Sequence, residues 1–410
     1  MLLYACAVRA QWPDDPDDDS PGWPDNPPDD DPPPWRPTPT QKPTTTSATP
    51  VPSPTEDPED PPAPIFTGVD TFDNATVYQP DDSTHHLTSP RTENLPNNTI
   101  LAVWNDSAQT SGPLQIYQST NNGFSWYAHG TAKPATSGRK LLEPHLLFVP
   151  SLGDDANVTL LVVNAVDAKS TNIELYASTD LGATFDFVKQ IVKGGEIGLK
   201  AVGEPHMVLH NDRLTVYYSD RGDDKHRQKI SQKSTNSVYG AWSGATDAVA
   251  SSVLADQIGM GSVAKVTNNQ YIITFESEES GNGTSPLSSV KFKVATSPED
   301  FGKASTHDIM TAAGLKPQGA PSVTWSSIGG QNGTVIVSGS TSNLLFVNQA
   351  LGQGPWRVVS TTAARAYGRE VHAVPDKRAL RITGGSEAMD KPSDILVTYM
   401  NFEKALAAAA

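Results

Sequence analysis

Two glutamates occupy the same short context, Glu143-Pro144-His145 and Glu204-Pro205-His206, about 60 residues apart, the length of one structural repeat. A third, Glu276, closes the apolar run Tyr271–Phe275. Carboxyls brought together can divide their labour, one protonated to assist a leaving group and one ionised to attack. A carboxylate at a strand end is more commonly just solvated. The matching Glu-Pro contexts weigh against that reading, because the same turn in two repeats aims both side chains one way.

Further polar side chains cluster in one segment, Tyr217-Tyr218-Ser219-Asp220-Arg221 followed by Lys225-His226-Arg227-Gln228-Lys229. Rings can stack on sugar faces, and Asp, Gln, Arg and His can bond hydroxyls. Tyr218, Asp220, His226 and Gln228 are therefore binding candidates, while Lys225 and Arg227 read equally well as solvated hairpin residues. His85-His86 has no partners at metal-ligand spacing. The chain has no zincin motif, Cys/His cluster, phosphate-cradling glycine loop or Gly-x-Ser-x-Gly elbow. No metal or cofactor is expected.

These residues need a scaffold, and the sequence points to strands. Period-2 apolar alternation recurs at Thr99–Val103, Val158–Val163, Arg213–Tyr218, Tyr271–Phe275, Thr334–Ser338 and Ala379–Thr383. Helical periodicity is nearly absent, with Ser305–Leu315 a possible short exception. The octapeptides Ser119-Thr-Asn-Asn-Gly-Phe-Ser-Trp126 and Ser178-Thr-Asp-Leu-Gly-Ala-Thr-Phe185 both fit the Asp-box, S-x-[DN]-x-G-x-[ST]-[FW]. That motif is a self-contained turn, in which Asp or Asn bonds backbone amides and Gly supplies a positive φ. A worn copy lies at Ser234–Trp242 and a trace at Thr296–Phe301. The motif is structural rather than catalytic.

Repeat openings fall at Pro90-Arg91, Glu143-Pro144, Glu204-Pro205, Gly259-Met260, Ala320-Pro321 and Tyr367-Gly368. The expected fold is an all-β, six-bladed β-propeller of the sialidase type over residues 65–404, with Thr67–Val77 closing the last blade. Inner strands of such a ring converge on one axis, so openings far apart in sequence become neighbours. Residues 405–410 form an Ala-rich tail.

Residues 1–64 hold 19 of the 34 prolines, and 13 acidic residues against 3 basic. This segment reads as a degraded signal followed by a disordered leader, a spacer with too few apolar residues to offset its ordering entropy. The leader carries −10 of the formal net charge of −16, and the remaining charge near −6 with no basic stripe argues against a nucleic-acid partner; no apolar run is long enough to span a membrane. The single cysteine, Cys6, leaves the fold without disulfides. Six N-x-[ST] sequons, at Asn74, Asn97, Asn105, Asn157, Asn282 and Asn332, point to secretion. The expected location is extracellular, with a cell-wall association open, and the expected state is a monomer.

The run from Glu204-Pro-His-Met through Leu-Thr-Val-Tyr-Tyr-Ser-Asp to Lys-His-Arg-Gln-Lys-Ile resembles glycoside hydrolase family 93, the exo-arabinanases, and related fungal Asp-box proteins. So does Gly259-Met-Gly-Ser-Val-Ala-Lys with Tyr-Ile-Ile-Thr-Phe-Glu276; Ser89-Pro-Arg and Ala366-Tyr-Gly-Arg-Glu are weaker echoes. The resemblance implies retaining exo-cleavage of α-1,5-linked L-arabinan, a polysaccharide substrate, with Glu204 on the general acid/base and Glu276 on the nucleophile. It extends the binding set to Arg91, Glu143, His206, Met260, Tyr367 and Arg369. His206 and the Phe275-Glu276-Ser277 run depart from the family pattern, which bears on the subsites rather than on the carboxylates.

Two rivals remain. An exo-sialidase would clamp a sugar carboxylate with Arg91, Arg221 and Arg369 and attack with Tyr367; release of sialic acid without action on arabinan identifies it. A carbohydrate-binding or cell-wall propeller without catalysis would behave identically before and after replacement of Glu204 and Glu276.

Overall fold

A computed structural model describes residues 71–81, 84–267, 269–280, 288–374, 378–385 and 393–409. The leader 1–64, Cys6 and the Asn282 sequon lie outside the described residues. Strand β1 (Phe72–Tyr78) is followed by β2 (Leu87–Asn94), β3 (Ile100–Asp106), β4 (Leu114–Ser119) and β5 (Tyr127–Ala132). Next come β6 (Lys140–Leu152), β7 (Asp155–Val166), β8 (Thr171–Ser178) and β9 (Thr184–Lys193). The third group is β10 (Val202–His210), β11 (Arg213–Asp220), β12 (Lys229–Thr235) and β13 (Thr246–Val249). The fourth is β14 (Gln257–Lys265), β15 (Tyr271–Glu278), β16 (Ser289–Ala295) and β17 (His307–Asp308). The last two are β18 (Ser322–Ser326), β19 (Thr334–Ser338), β20 (Leu344–Asn348) and β21 (Arg357–Ser360), then β22 (Glu370–Val374), β23 (Ala379–Gly384) and β24 (Ile395–Asn401).

The arrangement is all-β and propeller-like. Hydrogen bonding divides the strands into four sheets of four and one sheet of eight. Within the eight-stranded sheet, β2–β5 and β6–β9 are antiparallel meanders joined by a short parallel pairing of Thr131 and Ala132 with Thr184 and Phe185. β1 pairs with β24, so the first described strand completes the sheet built by the last three.

The core lies between sheets. One cluster packs Leu160, Val162 and Leu175 of β7 and β8 against Met207, Val216 and Tyr218 of β10 and β11. Every residue of β8 is buried, because sheets cover both of its faces and no solvated side survives to alternate. Each large apolar side chain sealed in this way contributes about 1.5–3 kcal/mol. Ser305–Leu315 forms no helix. The helix is α1 (Phe402–Ala408), capped by the Asn401 side chain on the Lys404 amide, with Phe402 and Leu406 buried. Residues 405–408 of the Ala-rich stretch belong to this helix, with Leu406 buried and Ala407 and Ala408 exposed. No helix among the described residues is long and apolar enough to cross a membrane.

The octapeptide turns have the expected wiring. Ser119 Oγ and Ser178 Oγ accept the amides of Gly123 and Gly182, each at 2.8 Å, and both glycines have φ near +90°. A further turn of this kind was not legible beforehand. Asn348 Oδ1 accepts the Gly352 amide at 2.8 Å, and Leu351 and Gly352 repeat the left-handed pair seen at Leu181 and Gly182. Asn replaces Ser there, and the aromatic Trp356 falls one position later.

Candidate active site

Every opening read from the sequence contains or directly follows a left-handed residue: Ser89, Glu143, Glu204, Met260, Gly319 and Gly368. In β2, β6, β10 and β14 the strand register slips there, between Thr88 and Arg91, Leu142 and His145, Gly203 and His206, and Gly259 and Ser262. These are bulges. Pro90, Pro144 and Pro205 suit them because an unpaired position needs no amide donor. Holding Glu143, Glu204 and Met260 at positive φ costs about 1–3 kcal/mol each, strain that persists only where neighbours over-determine it.

The neighbours are side chains of the preceding repeat, Asn105 of β3 for Glu143 and the bulge residues Glu143 and Glu204 for the next two. Asn105 Oδ1 accepts the Glu143 amide at 3.3 Å, Glu143 Oε2 the Glu204 amide at 2.7 Å, and Glu204 Oε2 the Met260 amide at 2.7 Å. Ser219 Oγ also donates to Glu204 Oε2, and Asn164 Nδ2 to Glu143 Oε2 at 3.0 Å. Room for both carboxylates comes from glycine. A Cβ on Gly203 would sit 2.8 Å from Glu143 Oε2, and one on Gly259 would sit 2.9 Å from Glu204 Oε2.

A cleft of about 590 Å³ opens on this chain and is lined by Arg91, Glu143, Glu204, His206, Met260 and Tyr367, all candidates from the sequence. Asn105 lines it too and is 5% exposed. It is one of the six sequons that point to secretion, but its side-chain amide is committed to the Glu143 amide and to Thr88 Oγ1. Glu276 is outside the lining of this cleft. It is half-buried on β15 opposite Gly259, and its Oε1 has no hydrogen-bond partner among the described residues.

Electrostatics separates the carboxyls. Burial, and then the charge of Glu204, push Glu276 up to about 8, opposed by the Ala320 backbone. The same two causes push Glu143 up to about 7, opposed by the Glu204 amide and Asn164. Burial and the Arg91 charge depress His206 to about 3, so its ring is neutral; it packs on His145 with centroids 4.1 Å apart and meets the Val263 backbone at 3.2 Å. Burial, and then Glu276, Glu204 and Glu143, raise Tyr367 well above the ordinary phenol value. The site thus sets two carboxyls of raised pKa, a phenol of raised pKa and a neutral imidazole around Glu204.

Four candidates belong elsewhere. Tyr218 is 2% exposed in the inter-sheet core. Asp220 accepts Ser231 Oγ and the Gly222 amide, closing its own turn. Both errors are one of parity on β11, where Ser219 and Arg221 reach the clefts instead. His226 bonds Asp223 at 2.9 Å, and Lys229 holds the same carboxylate at 2.7 Å. Arg369 is fully buried, donating to Ser338 Oγ and the carbonyls of Ala364 and Leu344. Gln228 is 7% exposed and lines a second cleft, where its Oε1 accepts Arg221 Nε at 2.7 Å.

Of the three arginines a sialidase reading would use, Arg369 is enclosed, Arg91 lines the first cleft with its Nη1 on the carbonyls of Pro90 and Gly368 at 2.7 and 2.9 Å, and Arg221 lines the second.

Solved structures similar to this chain include an α-L-arabinanase of Penicillium chrysogenum complexed with arabinobiose, at 28% identity and TM-score 0.77 over 82% of this chain and 99% of that one. A GH93 α-L-arabinofuranosidase of Fusarium graminearum, also with arabinobiose, matches at 27% identity and TM-score 0.77 over the same shares. A Streptococcus pneumoniae sialidase shares the fold at 10% identity and TM-score 0.52, over 80% of this chain and 70% of that one. No protein-family model and no curated protein matches the chain. The chain is thus similar to GH93 enzymes, which are glycoside hydrolases.

Proposed function

We propose that this chain is a secreted glycoside hydrolase that cleaves α-1,5-linked L-arabinan from chain ends with retention of configuration. The observation that carries the reading is Glu204, whose carboxylate is fixed by the Met260 amide and the Ser219 hydroxyl at the cleft wall, beside two carboxyls of raised pKa. The arabinobiose held by similar proteins supports the substrate class.

In this mechanism Glu204 is the nucleophile and Glu276 the acid. The assignment reverses the roles implied by sequence resemblance, and its support is electrostatic. Glu276, near 8, carries a proton at neutral pH, whereas Glu204 Oε2 serves as acceptor for two fixed donors. Glu276 gives its proton to the glycosidic oxygen as Glu204 forms a bond to the anomeric carbon. Glu276, now a base, then takes a proton from the water that releases the sugar. Retention requires the two carboxyls about 5 Å apart. Glu143 sets the Glu204 backbone, Arg91 and Tyr367 wall the cleft, and Met260 is the last link of the amide chain.

The eight-stranded sheet counts as two blades, giving six around one axis, and the turns at Ser119 and Ser178 count as Asp-boxes. Exposed sequons at Asn74, Asn97 and Asn157 support secretion. The test is incubation of the purified protein with linear α-1,5-arabinan, following the first anomer released by NMR. Product no faster than from a Glu204→Gln, Glu276→Gln double variant would sink the hydrolase reading, and an inverted first anomer the retaining one.

A further inference from the structure

A crevice of about 1140 Å³ opens between strands β11–β13 and the 3-10 turn Phe301–Lys303 of the next sheet. Arg213, on its wall, and Ser219, whose hydroxyl meets Glu204, stand towards opposite ends of β11, about 20 Å apart by the ordinary rise of a strand. The crevice opens where the octapeptide turn has decayed. The worn copy Ser234–Trp242 and the trace Thr296–Phe301 flank it, and neither contains a left-handed residue. Ser234 Oγ meets Thr215 Oγ1 at 3.0 Å instead of a glycine amide. The space is nevertheless built. Gly302 presses so closely on β13 that a Cβ there would clash with the Asp247 carbonyl oxygen. Gln232 lines the crevice and is 4% exposed; its Nε2 donates to the Glu299 carbonyl at 2.7 Å, which fixes the amide, and its Oε1 has no partner among the described residues. Arg213 gives Nε to Glu299 and Nη1 to Asn236 Oδ1 at 2.8 Å, leaving Nη2 without a hydrogen bond among the described residues.

We propose that this crevice is a carbohydrate-holding site remote from the carboxylates, taking a neutral, hydroxyl-bearing stretch of polysaccharide. The chemical class follows from the lining. Gln232 Oε1 requires a donor and Arg213 Nη2 an acceptor, and a hydroxyl is both. A carboxylate cannot donate to the first, and an ammonium cannot accept from the second. Charge is already balanced around them. Glu299 is paired with Arg213, Asp300 with Lys303 at 2.7 Å and Asp247 with Lys229 at 2.7 Å, so the lining calls for no ion. The crevice also exceeds the first cleft of about 590 Å³, which suits a run of sugar units over a single one. A second grip on one polymer holds the protein to it while the first lets go. The binding does not rest on the glycosidase reading.

The test is calorimetric titration of Glu276→Gln protein with arabinohexaose and, separately, cellohexaose, both neutral. Two variants are added to that background. Gln232→Met removes the unpaired acceptor, and Ala245→Trp fills the crevice from its exposed rim and leaves Gln232 in place. At least one hexaose should show a binding event that each variant weakens at least tenfold. Arabinohexaose should show a second event, at the carboxylates, that neither variant moves. Binding of cellohexaose alone at the crevice would keep the site and separate its ligand from arabinan. No event sensitive to Ala245→Trp, or preferential binding of a galacturonate or glucosamine oligomer there, would overturn the proposal. With Glu276 intact, both variants should turn over 4-nitrophenyl α-L-arabinofuranoside within twofold of wild type; a tenfold loss in Ala245→Trp would mean that it acts through the fold and would also overturn it. Crevice-dependent binding by a protein that hydrolyses no arabinoside would reject the glycosidase reading and leave this site standing.

Discussion

Glu143 Oε2 accepts the backbone amide of Glu204 at 2.7 Å. The residue that offers one carboxylate is thereby clamped by another, and it repeats the contact one sheet further on at Met260. Glu143 and Glu204 therefore each have a structural duty, fixing a strained backbone, alongside whatever chemistry they perform. The two duties separate in measurement. Loss of the clamp alters geometry and stability, whereas loss of a reacting oxygen alters kcat.

Replacing Glu276 with Gln should lower kcat on linear arabinan by about 10²–10⁴-fold, the range for a missing acid or base, and Glu204→Gln, which removes the nucleophile, should lower it at least as much, with KM changed far less. Glu143→Gln should cost less, because the Gln Oε1 still accepts the Glu204 amide. Reducing-sugar release over substrate concentration separates the three. A Glu276→Gln enzyme within tenfold of wild type would remove Glu276 from the chemistry.

Activity should fall as pH rises through about 8, where Glu276 loses the proton it donates. Stability should follow the same sign. Its carboxyl is raised from an ordinary value near 4.5, so between there and about 8 the folded state binds more protons than the unfolded one. The melting temperature should therefore be lower at pH 8 than at pH 5, and Glu276→Gln should flatten that slope. Thermal scans across this range check it, and an unchanged slope would contradict the raised carboxyl.

Gly259→Ala should lower kcat by at least about tenfold, since misplacing a reacting group is costly out of proportion to the displacement. Its Cβ would lie 2.5 Å from Gln228 Nε2, 2.9 Å from Glu204 Oε2 and 3.1 Å from Ser219 Oγ. Gly259 is not in the left-handed region, so alanine brings no backbone strain. Near-normal melting with depressed turnover is the expected pair of results; full activity would show the carboxylate is free to move.

Arg369→Met should destabilise the fold by about 1–3 kcal/mol, because the buried Ser338 Oγ and two part-buried carbonyls lose their donor. Denaturant midpoints measure this. KM of the folded fraction should be unchanged, and a selective rise in KM would return Arg369 to the binding site.

The openings were legible because a Glu-Pro dipeptide recurring at repeat spacing leaves few readings, and the structure adds that its proline sits in a bulge. Parity on β11 was not legible. Tyr217-Tyr218-Ser219-Asp220-Arg221 has polar atoms on both faces, so alternation carries no sign, and Tyr218 went to the core. Arg369 misled for a different reason: a guanidinium satisfied by carbonyls looks, in sequence, like one awaiting a ligand. Asn105 matched a three-residue pattern that says nothing about burial. Asn164 gave no local signal, since its partner lies 21 positions away.

The pairing of β1 with β24 joins Asn74 to Thr398 across 324 positions. A ribosome making this protein has therefore released every carboxylate of the site long before the strand that completes the last sheet. During that interval β1 has no partner, and an unpaired edge is open to the wrong neighbour. The pairing of β1 with β24 is the most non-local strand pairing among the described residues and should come late in folding. A nascent chain halted before Ile395 would hold Glu143, Glu204 and Glu276 without the last strand that joins the two ends.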